Sequence, residues 1–427
     1  MVDMEEESPQ VLVTGSTGFI GSHLVEFLLQ QGVRVRCLVR SHSDLRYLKD
    51  LNVDLVTADL RNRGNWDQAI RGVDYIFHLA GVTAAATRRG YFEGNLLTTR
   101  HLVESCMHEG NQLKRFIHIS SVAAGGPSRD GRPVNENQIA RPISSYGHSK
   151  LAAERLVLES RLPFPVTVIR PSIVYGPRDR DIYKFFRMAQ TGTITHVGHR
   201  NRYVSLIHVR DLVTGLMEVM RTRENGDQCY YFTNPQFYSR RCLAHKIALS
   251  VQRNSVRQIA IPEPWWYLAG FGMELLLPVV KDPSILSREK VWEACQDFWI
   301  CSPAKALKHR PDSQILKLAD NEYENITSKI VFDAADDGDV IAQQIVKQVI
   351  ENLGIGFGAL INIFDPDALV VGGGVMNGLK AYWVDLKQSV SKHSLKVYRS
   401  KLPLYQTTHG DDAGLIGAAA LVYRNSE

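Results

Sequence analysis

A glycine-rich turn near the N-terminus constrains the fold more than any other feature of this sequence. Val11–Leu24 reads VLVTGSTGFIGSHL, in which a short apolar run precedes three evenly spaced glycines and a helical pattern. Residues without a Cβ atom let a pyrophosphate approach the backbone, and the first N–H groups of a helix bind such an anion. We therefore expect Gly15 to make the turn, Gly18 to admit the phosphates of a dinucleotide, and Gly21 to let the helix lie on the sheet. A glycine-rich structural turn is the alternative.

Apolar runs alternate with helical patterns over the first 170 residues. The candidate strands are Val11–Val13, Val33–Val39, Asp54–Thr57, Tyr75–Leu79, Phe116–Ile119 and Val166–Ile169. Alternation at this spacing is typical of an α/β fold, a doubly wound parallel sheet with helices on both faces. A ligand is then expected beyond the C-terminal ends of the strands.

Two residues at strand ends bear on the choice of cofactor. The second candidate strand ends in Arg40, where an NAD site usually has an acid that accepts hydrogen bonds from the ribose 2′-hydroxyl. Arginine suits a 2′-phosphate, which favours NADP over NAD, although a solvated arginine is the alternative. Asp59 follows the third strand and is expected to accept from the adenine amino group; capping a helix is its alternative role.

A tyrosine and a lysine form the candidate catalytic pair. Tyr146 and Lys150 are four residues apart at the start of a helical pattern, so they share one face of a helix. A phenol with a reference pKa near 10 is a poor base at neutral pH, and a nearby ammonium group favours phenolate. Ser120 and Ser121 end the fifth strand, where Ser121 can donate to a substrate oxygen. The pair alone is common on helices, and its position downstream of the glycine turn gives it weight.

Composition excludes several other classes of protein. The chain has 427 residues and a net charge of +5 without a long basic block, so nucleic-acid binding is not indicated. Its six cysteines are scattered without a C-x-x-C pair, which indicates no metal site and a cytoplasmic location. The acidic N-terminus is unlike a signal peptide. The apolar stretch 265–280 is interpreted as a helix over a substrate pocket, with contact to a membrane surface as the alternative.

Eight motifs occur together in the order found in one enzyme family. They are TGSTGFIG (Thr14–Gly21), ADL (Ala58–Leu60), FHLAG (Phe77–Gly81), Asn95, ISS (Ile119–Ser121), YGHSK (Tyr146–Lys150), RPSIVYGPRD (Arg170–Asp179) and HVRDL (His208–Leu212). Residues 10 to about 307 therefore resemble an extended short-chain dehydrogenase/reductase of the epimerase/dehydratase and 3-beta-hydroxysteroid dehydrogenase/dihydroflavonol reductase type. The resemblance implies a Rossmann-type sheet with a smaller substrate-binding part, and a homodimer through the helices at 92–107 and 146–158.

The resemblance also implies a role for individual residues. Tyr146 would be the general acid/base, Lys150 the partner that lowers its pKa, and Ser121 the donor to the substrate oxygen. The residues expected around the cofactor are Gly15, Ser16, Thr17, Gly18, Phe19, Ile20, Arg40, Asp59, Leu60, Leu79, Ala80, Gly81, Asn95, Tyr146, Lys150, Pro171 and Ser172. Tyr175–Arg178 would line the substrate cleft, and His208 and Asp211 would form a structural strand-to-helix corner. Val122-Ala123 follow Ser121 where sugar dehydratases of the family have an Asp-Glu pair, so water elimination is disfavoured.

The last hundred residues follow a different pattern. We predict one helix over Val331–Leu353 with Gly354 as its C-cap, a strand at Ala368–Val371, a glycine turn at 372–374 and a last helix at 414–424. With two or three strands, such a unit should have an open sheet edge. The segments FDAADDGD, NIFDPDALVVGGGV and GDDAGLIGAA resemble the C-terminal part of the ROK sugar-kinase family. The sequence lacks that family's phosphate-binding loop, its catalytic aspartate segment and its zinc cysteines. We therefore expect an α/β fragment of the actin-like type that packs or oligomerises, with adenosine binding as the alternative to packing and no kinase activity.

These observations define the expected organisation and activity. Residues 1–9 are a disordered N-terminus, 10–170 with 203–235 an NAD(P)-binding domain, 171–307 a substrate-binding part, 308–315 a junction and 316–427 the ROK-like fragment. The expected activity is NAD(P)-dependent oxidoreduction of a secondary alcohol or ketone. A nucleotide-sugar epimerase that retains NAD and a scaffold that binds a nucleotide without turnover are the alternatives. The substrate is accordingly a small alcohol, a ketone or a sugar nucleotide.

Overall fold

The computed structural model divides the chain into two compact units, residues 1–310 and 311–427. It describes residues 8–58, 66–110, 112–222, 226–280, 287–308, 314–319, 325–372, 376, 378–398 and 404–407. The predictions for Asp59, Leu60, the N-terminal residues 1–7, glycines 373 and 374, and the helix at 414–424 lie outside these residues.

A seven-stranded parallel sheet organises the first unit. Its strands are β1 (Gln10–Thr14), β2 (Arg34–Val39), β3 (Asp54–Thr57), β4 (Tyr75–His78), β5 (Arg115–Ile119), β6 (Val166–Pro171) and β10 (Gln228–Phe232). They lie in the order β10-β6-β5-β4-β1-β2-β3, and every pairing is parallel. The predicted parallel sheet is confirmed. The strand order reverses between β1 and β4, and ligands of such sheets bind where this reversal leaves a crevice.

Helices bury both faces of this sheet. They are α1 (Phe19–Gln30), α2 (Trp66–Ile70), α3 (Arg88–Phe92), α4 (Thr98–Glu109), α5 (Val122–Gly125), α6 (Ser145–Glu159) and α8 (Val209–Arg221). Val11 and Val13 pack toward α1 and α8, whereas Leu12 between them packs toward α2, α4 and α6. The side chains of a strand alternate between faces, so an unbroken apolar run is what a sheet covered on both sides requires.

The rest of the first unit forms a smaller part beside the sheet. Its strands are β7 (Ile173–Tyr175), β8 (Thr193–Val197), β9 (Tyr203–His208), β11 (Phe237–Ser239), β12 (Arg257–Ile261) and β13 (Phe298–Trp299). Strand β9 pairs with β7, β11 and β13, and β8 pairs with β12. The helices are α7 (Asp181–Gln190), α9 (Arg240–Ser250), α10 (Glu263–Val280), α11 (Arg288–Cys295) and α12 (Ala304–Lys308).

The apolar stretch 265–280 lies within helix α10. Trp265, Leu268 and Phe271 on this helix are exposed. Among the described residues, no helix has the length and apolarity that crossing a bilayer requires.

The second unit has its own apolar core, and two predictions for it are wrong. It contains α13 (Gln314–Leu318), α14 (Ser328–Asp336), α15 (Val340–Phe364), β14 (Leu369–Val371), α16 (Trp383–His393) and β15 (Leu404–Gln406), with β14 parallel to β15. The single helix expected over Val331–Leu353 is instead two helices. They are separated at Gly338, which has φ +90°, and Asp339 caps the second helix through the N–H groups of Ile341 and Ala342.

Gly354 is not a C-cap, because α15 continues for ten further residues. A Cβ atom at Gly354 would lie 2.0 Å from Oγ of Ser389, and one at Gly358 would lie 3.0 Å from the backbone of His393. The two glycines are one turn apart, so they let α15 and α16 approach closely. The residue that ends α15 in a left-handed conformation is Asp365, with φ 44°. A glycine in an apolar pattern can therefore indicate close helix packing rather than a helix end.

Candidate active site

The glycine turn has the geometry of an anion-binding cradle. Gly15 has φ +71°, and a Cβ atom there would lie 2.8 Å from the backbone of Leu79 and Ala80. At Gly21, a Cβ atom would lie 2.2 Å from the carbonyl oxygen of Gly15. Helix α1 begins after Gly18, and no side chain caps its first turn. The first turn thus presents backbone N–H groups to a ligand, which fits the pyrophosphate of a dinucleotide.

A cavity of about 900 Å³ lies over this cradle. It is lined by twelve of the residues predicted to surround a cofactor: Gly15, Thr17, Gly18, Phe19, Ile20, Arg40, Leu79, Ala80, Gly81, Asn95, Tyr146 and Lys150. The cavity therefore connects the glycine turn with the candidate catalytic pair. Its volume lies at the upper end of the range for cofactor sites.

Three other predicted residues do not line this cavity. The hydroxyl of Ser16 is buried and interacts with the Cys37 thiol, so Ser16 faces the core. Pro171 ends β6 and is buried with Ser172. The hydroxyl of Ser172 has no hydrogen-bond partner among the described residues.

Hydrogen bonds between β1 and β4 fix the floor of the cavity. The hydroxyl of Thr14 lies 2.7 Å from Nδ1 of His78 and accepts from the N–H of Ala80 at 3.2 Å. Nε2 of His78 lies 2.9 Å from the hydroxyl of Thr99 on α4. Burial lowers the pKa of His78 to about 3, and the Lys150 ammonium acts in the same direction. His78 is therefore a neutral structural link.

Asn95 connects the cavity to the helix that carries the candidate catalytic pair. It lies in a π-helical segment, Glu93–Leu97, between α3 and α4. Its Oδ1 accepts from the N–H of Val82 at 2.8 Å, and its Nδ2 donates to Oγ of Ser149 at 2.8 Å. A Cβ atom at Gly81 would lie 2.5 Å from Oδ1 of Asn95 and 3.9 Å from Nζ of Lys150. Short π-helical insertions are frequent at functional sites, and this one turns the asparagine toward the cavity.

Tyr146 and Ser121 lie side by side, with Tyr91 next to them. Burial raises the pKa of the Tyr146 phenol to about 12, while its interaction with the Ser121 side chain acts in the opposite direction. The Tyr91 and Tyr146 rings have their centroids 6.1 Å apart. Ser121 also accepts from the N–H of Ala123 at 3.1 Å and so caps α5. The phenol is thus protonated at neutral pH. Ser121 lies next to it but is not among the residues that line the cavity.

Lys150 is held inside the protein by a backbone carbonyl group. Its Nζ donates to the carbonyl oxygen of Ile119 at 2.6 Å, and the side chain is buried. Burial lowers the pKa of Lys150 to about 8, and the Glu154 carboxylate acts in the opposite direction. Burial is the largest influence on the pKa of Tyr146 and raises it. The role that the resemblance implied for Lys150, lowering the pKa of Tyr146, stays a prediction.

A buried ion pair between Glu154 and Arg170 lies beneath the site. Glu154 accepts three hydrogen bonds from Arg170, at 3.0 and 3.2 Å from Nε and 2.6 Å from Nη2. The hydroxyl of Ser120, which lines the cavity, also donates to Glu154. Nη1 of Arg170 donates to the Tyr231 hydroxyl at 3.1 Å. Glu154 is four residues after Lys150 on α6, so this helical spacing was the available sequence signal.

Charged residues surround the far end of the cavity. Arg40 is exposed, lines the cavity, and holds the loop after β2 through hydrogen bonds between its backbone and Ser43. Arg178, expected in a substrate cleft, lies over the Tyr47 ring at 4.3 Å and donates to Glu26 on α1 at 2.5 Å. Arg178 therefore ties the segment after β7 to the cofactor side of the cavity.

His208 and Asp211 lie at a strand-to-helix corner. His208 is the last residue of β9, and its Nδ1 accepts from the N–H of Arg210 at 3.3 Å at the start of α8. Neither residue lines the cavity over the glycine turn. This placement corresponds to the structural corner that the resemblance implied.

Comparison with known proteins identifies two family segments and several relatives. Residues 11–231 match the NAD dependent epimerase/dehydratase family, and residues 309–425 match the ROK family. A ceramide reductase of Caulobacter vibrioides is 31% identical over 306 residues, covering 69% of this chain and 86% of that protein. A 4-hydroxy-2-methyl-3-oxo-4-farnesyl-3,4-dihydroquinoline-1-oxide ketoreductase of Stigmatella aurantiaca is 28% identical over 233 residues, covering 53% and 68%.

A solved structure adds a nucleotide-sugar complex to these similarities. The structure of MoeE5 in complex with UDP-glucuronic acid and NAD is 28% identical to this chain and has a TM-score of 0.52. The match covers 59% of this chain and 85% of the other.

Proposed function

This chain belongs to the NAD dependent epimerase/dehydratase family, and from this premise we propose that it reduces a ketone to a secondary alcohol. It is an enzyme of the dehydrogenase or epimerase type, and it binds NAD or NADP. The observation that carries the proposed reaction is a single cavity that joins the glycine cradle at Gly15 and Gly18 to Tyr146 and Lys150.

The protein groups that surround the reacting carbonyl have distinct roles in this proposal. The chemistry supplied by the bound cofactor is transfer of a hydride to the carbonyl carbon. The Tyr146 hydroxyl donates its proton to the carbonyl oxygen, so that the new O–H bond forms as the phenolic O–H bond breaks. Ser121 donates a hydrogen bond to the same oxygen. Lys150 and Asn95 line the cavity together; Lys150 would hold the hydroxyls of the nicotinamide ribose, and Asn95 would flank the cofactor.

We propose NADP as the preferred cofactor. Arg40 lines the cavity at the end of β2, and its side chain is exposed. A guanidinium group at this position can bind a 2′-phosphate by charge-assisted hydrogen bonds.

A ketone on a long apolar chain is the substrate class that we propose. The ceramide reductase and the farnesyl-quinoline ketoreductase have names that indicate reactions on lipid-like molecules. Helices α7 and α10 of the smaller part expose Tyr183, Phe185, Trp265 and Leu268. Exposed aromatic and aliphatic side chains suit an apolar substrate better than a charged sugar nucleotide.

A nucleotide-sugar epimerase is the second candidate, because MoeE5 was solved with UDP-glucuronic acid and NAD. The two functions are separated by following the absorbance of reduced nicotinamide in the purified full-length chain. The substrates are an N-acylated long-chain 3-ketone, a 3-ketosteroid and UDP-glucuronic acid. Net oxidation of NADPH with a ketone supports the reductase, whereas conversion of the UDP-sugar without net absorbance change contradicts it.

We infer that the ROK-like unit is not a kinase. Phosphoryl transfer depends on residues that position the phosphates and a metal ion. The sequence has no counterpart of the family's phosphate-binding loop ahead of Phe332. ATP hydrolysis in the presence of common hexoses, measured on the full chain, tests this inference.

We also propose that the chain forms a homodimer through its α4 and α6 helices, which light scattering on the purified protein tests.

A further inference from the structure

Two carboxylates from another helix hold the end of α6 at which Tyr146 lies. Glu289 of α11 accepts from the N–H of Ser145 at 2.9 Å and from its hydroxyl at 2.7 Å. Glu293, one turn later on α11, accepts from the hydroxyl of Ser144. That same hydroxyl accepts from the N–H of Gly147 at 3.1 Å and is the N-cap of α6. A helix of the smaller part is therefore joined to the first turn of the catalytic helix.

The two carboxylates differ in their surroundings. Glu289 is exposed, whereas Glu293 is half-buried. The backbone carbonyl of Glu293 accepts from Nε1 of Trp299 at 2.7 Å, which fixes the end of α11. Burial raises the pKa of Glu293, the Ser144 hydroxyl acts in the opposite direction, and nearby Glu289 raises it further. Lys290 acts against this increase.

Only one of these carboxylates acts directly on the catalytic phenol. Glu293 and Tyr91 both raise the pKa of Tyr146, and Ser121 opposes them. Glu289 acts on Tyr91 and is not among the groups that shift Tyr146. Lys150, on the same helix as Tyr146, donates a hydrogen bond to the backbone carbonyl oxygen of Ile119. The chain thus offers two neighbouring glutamates with similar helix contacts and different electrostatic effects.

We propose that Glu293 is a positioning residue that holds the start of α6 through Ser144, and that its charge adds to the effect of burial, which already keeps the Tyr146 phenol protonated. This proposal rests on the reductase function proposed above and deepens it. A negative charge beside a phenol disfavours phenolate because the two like charges repel. Ketone reduction needs the protonated phenol as its acid, whereas alcohol oxidation needs the phenolate as its base. The charge of Glu293 therefore favours the protonation state of Tyr146 that the ketone-reduction step requires.

The test is a titration of Tyr146 by nuclear magnetic resonance. The full-length chain is prepared with ¹³Cζ-labelled tyrosine, and Tyr146 is assigned as the signal that Tyr146→Phe lacks. Wild type, Glu293→Gln and Glu289→Gln are titrated from pH 7 to the highest pH at which each remains folded. In Glu293→Gln, the Tyr146 signal should start to change at a pH that is lower than in wild type by roughly half a unit or more. Glu289→Gln, the matched control, should follow the wild type.

Any of three results would overturn the proposal. The first is an unshifted Tyr146 transition in Glu293→Gln, and the second is an equal shift in Glu289→Gln, which would indicate a general loosening of α6. Glu293→Asp retains the charge and should restore the wild-type transition. An equal shift in Glu293→Asp would also contradict a role for charge.

The titration uses neither substrate nor cofactor, so it separates this proposal from the proposed function. If the enzyme proved to be an epimerase, the Tyr146 transition should still shift in Glu293→Gln. If the enzyme proved to be a reductase and the transition did not shift, Glu293 would have only a structural role. NADPH affinity, measured by nicotinamide fluorescence, should be equal in wild type and Glu293→Gln, because Glu293 does not line the cofactor cavity.

Discussion

Removing the charge of Glu154 should destabilise the first unit strongly. The exposed fractions of the Arg170 and Glu154 side chains are 9% and 2%, so the ion pair is shielded from water. Glu154→Gln keeps the shape of the side chain, and it leaves the Arg170 guanidinium buried without a countercharge. Breaking such a pair typically costs about 3–5 kcal/mol. Because Ser120 also loses its charged acceptor, we expect the upper part of this range.

Urea unfolding of the full-length chain measures this cost. The two compact units can unfold separately, so the transition of residues 1–310 is identified as the one that NADPH shifts to higher urea concentration. The matched control is Glu93→Gln, which breaks an exposed pair with Arg89 and should cost at most about 0.5 kcal/mol.

A second variant separates the loss of the pair from the burial of one charge. Glu154→Gln combined with Arg170→Met removes both charges, and it should recover much of the lost stability. A cost below about 1 kcal/mol for Glu154→Gln alone would refute the reasoning, because the guanidinium would then have found another partner or water.

Three further predictions concern the cofactor cavity. Gly21→Ala should weaken NADPH binding at least about tenfold and destabilise the fold by about 1–3 kcal/mol, because its Cβ atom would meet the carbonyl oxygen of Gly15 at 2.2 Å; unchanged affinity in a fluorescence titration would contradict this. Arg40→Ala should weaken NADPH binding about tenfold and leave NADH binding nearly unchanged, and an equal effect on both cofactors would argue against a 2′-phosphate contact. The pKa of Lys150 falls from an ordinary value of 10.5 to about 8 in the folded chain. Between about pH 8 and pH 10.5, the folded state therefore binds fewer protons than the unfolded state. As the pH rises through this range, the free energy of unfolding of the wild type should increase by about 3 kcal/mol relative to that of Lys150→Met. Parallel pH profiles in urea unfolding would contradict that assignment.

The parallel sheet and its ligand edge could be predicted because both follow from local patterns. Apolar runs such as Val11–Val13 have to be buried on both sides, and Gly15 and Gly21 are at positions where a Cβ atom would strike backbone. That Tyr146 and Lys150 both line the cavity from α6 is also what their spacing of four residues on a helix leads one to expect.

Interactions between distant segments account for what the sequence did not reveal. Glu293 is 149 residues from its partner Ser144, and no spacing rule joins them. The orientation of Lys150 depends on the Ile119 carbonyl, a backbone group that a side-chain motif cannot indicate. The local pattern predicts a helix end at Gly354. The actual reason for a glycine there is close packing against Ser389, which lies on a helix further along the chain.

The central claim is that Tyr146 is the acid of a reductase whose cofactor is bound over the glycine turn. Its most direct test is the Tyr146→Phe variant, assayed for NADPH oxidation with whichever ketone the wild type reduces and for NADPH affinity in the same preparation. We expect kcat to fall by about 10²–10⁴ while the affinity for NADPH stays within about twofold of the wild-type value. A variant with full activity would contradict it.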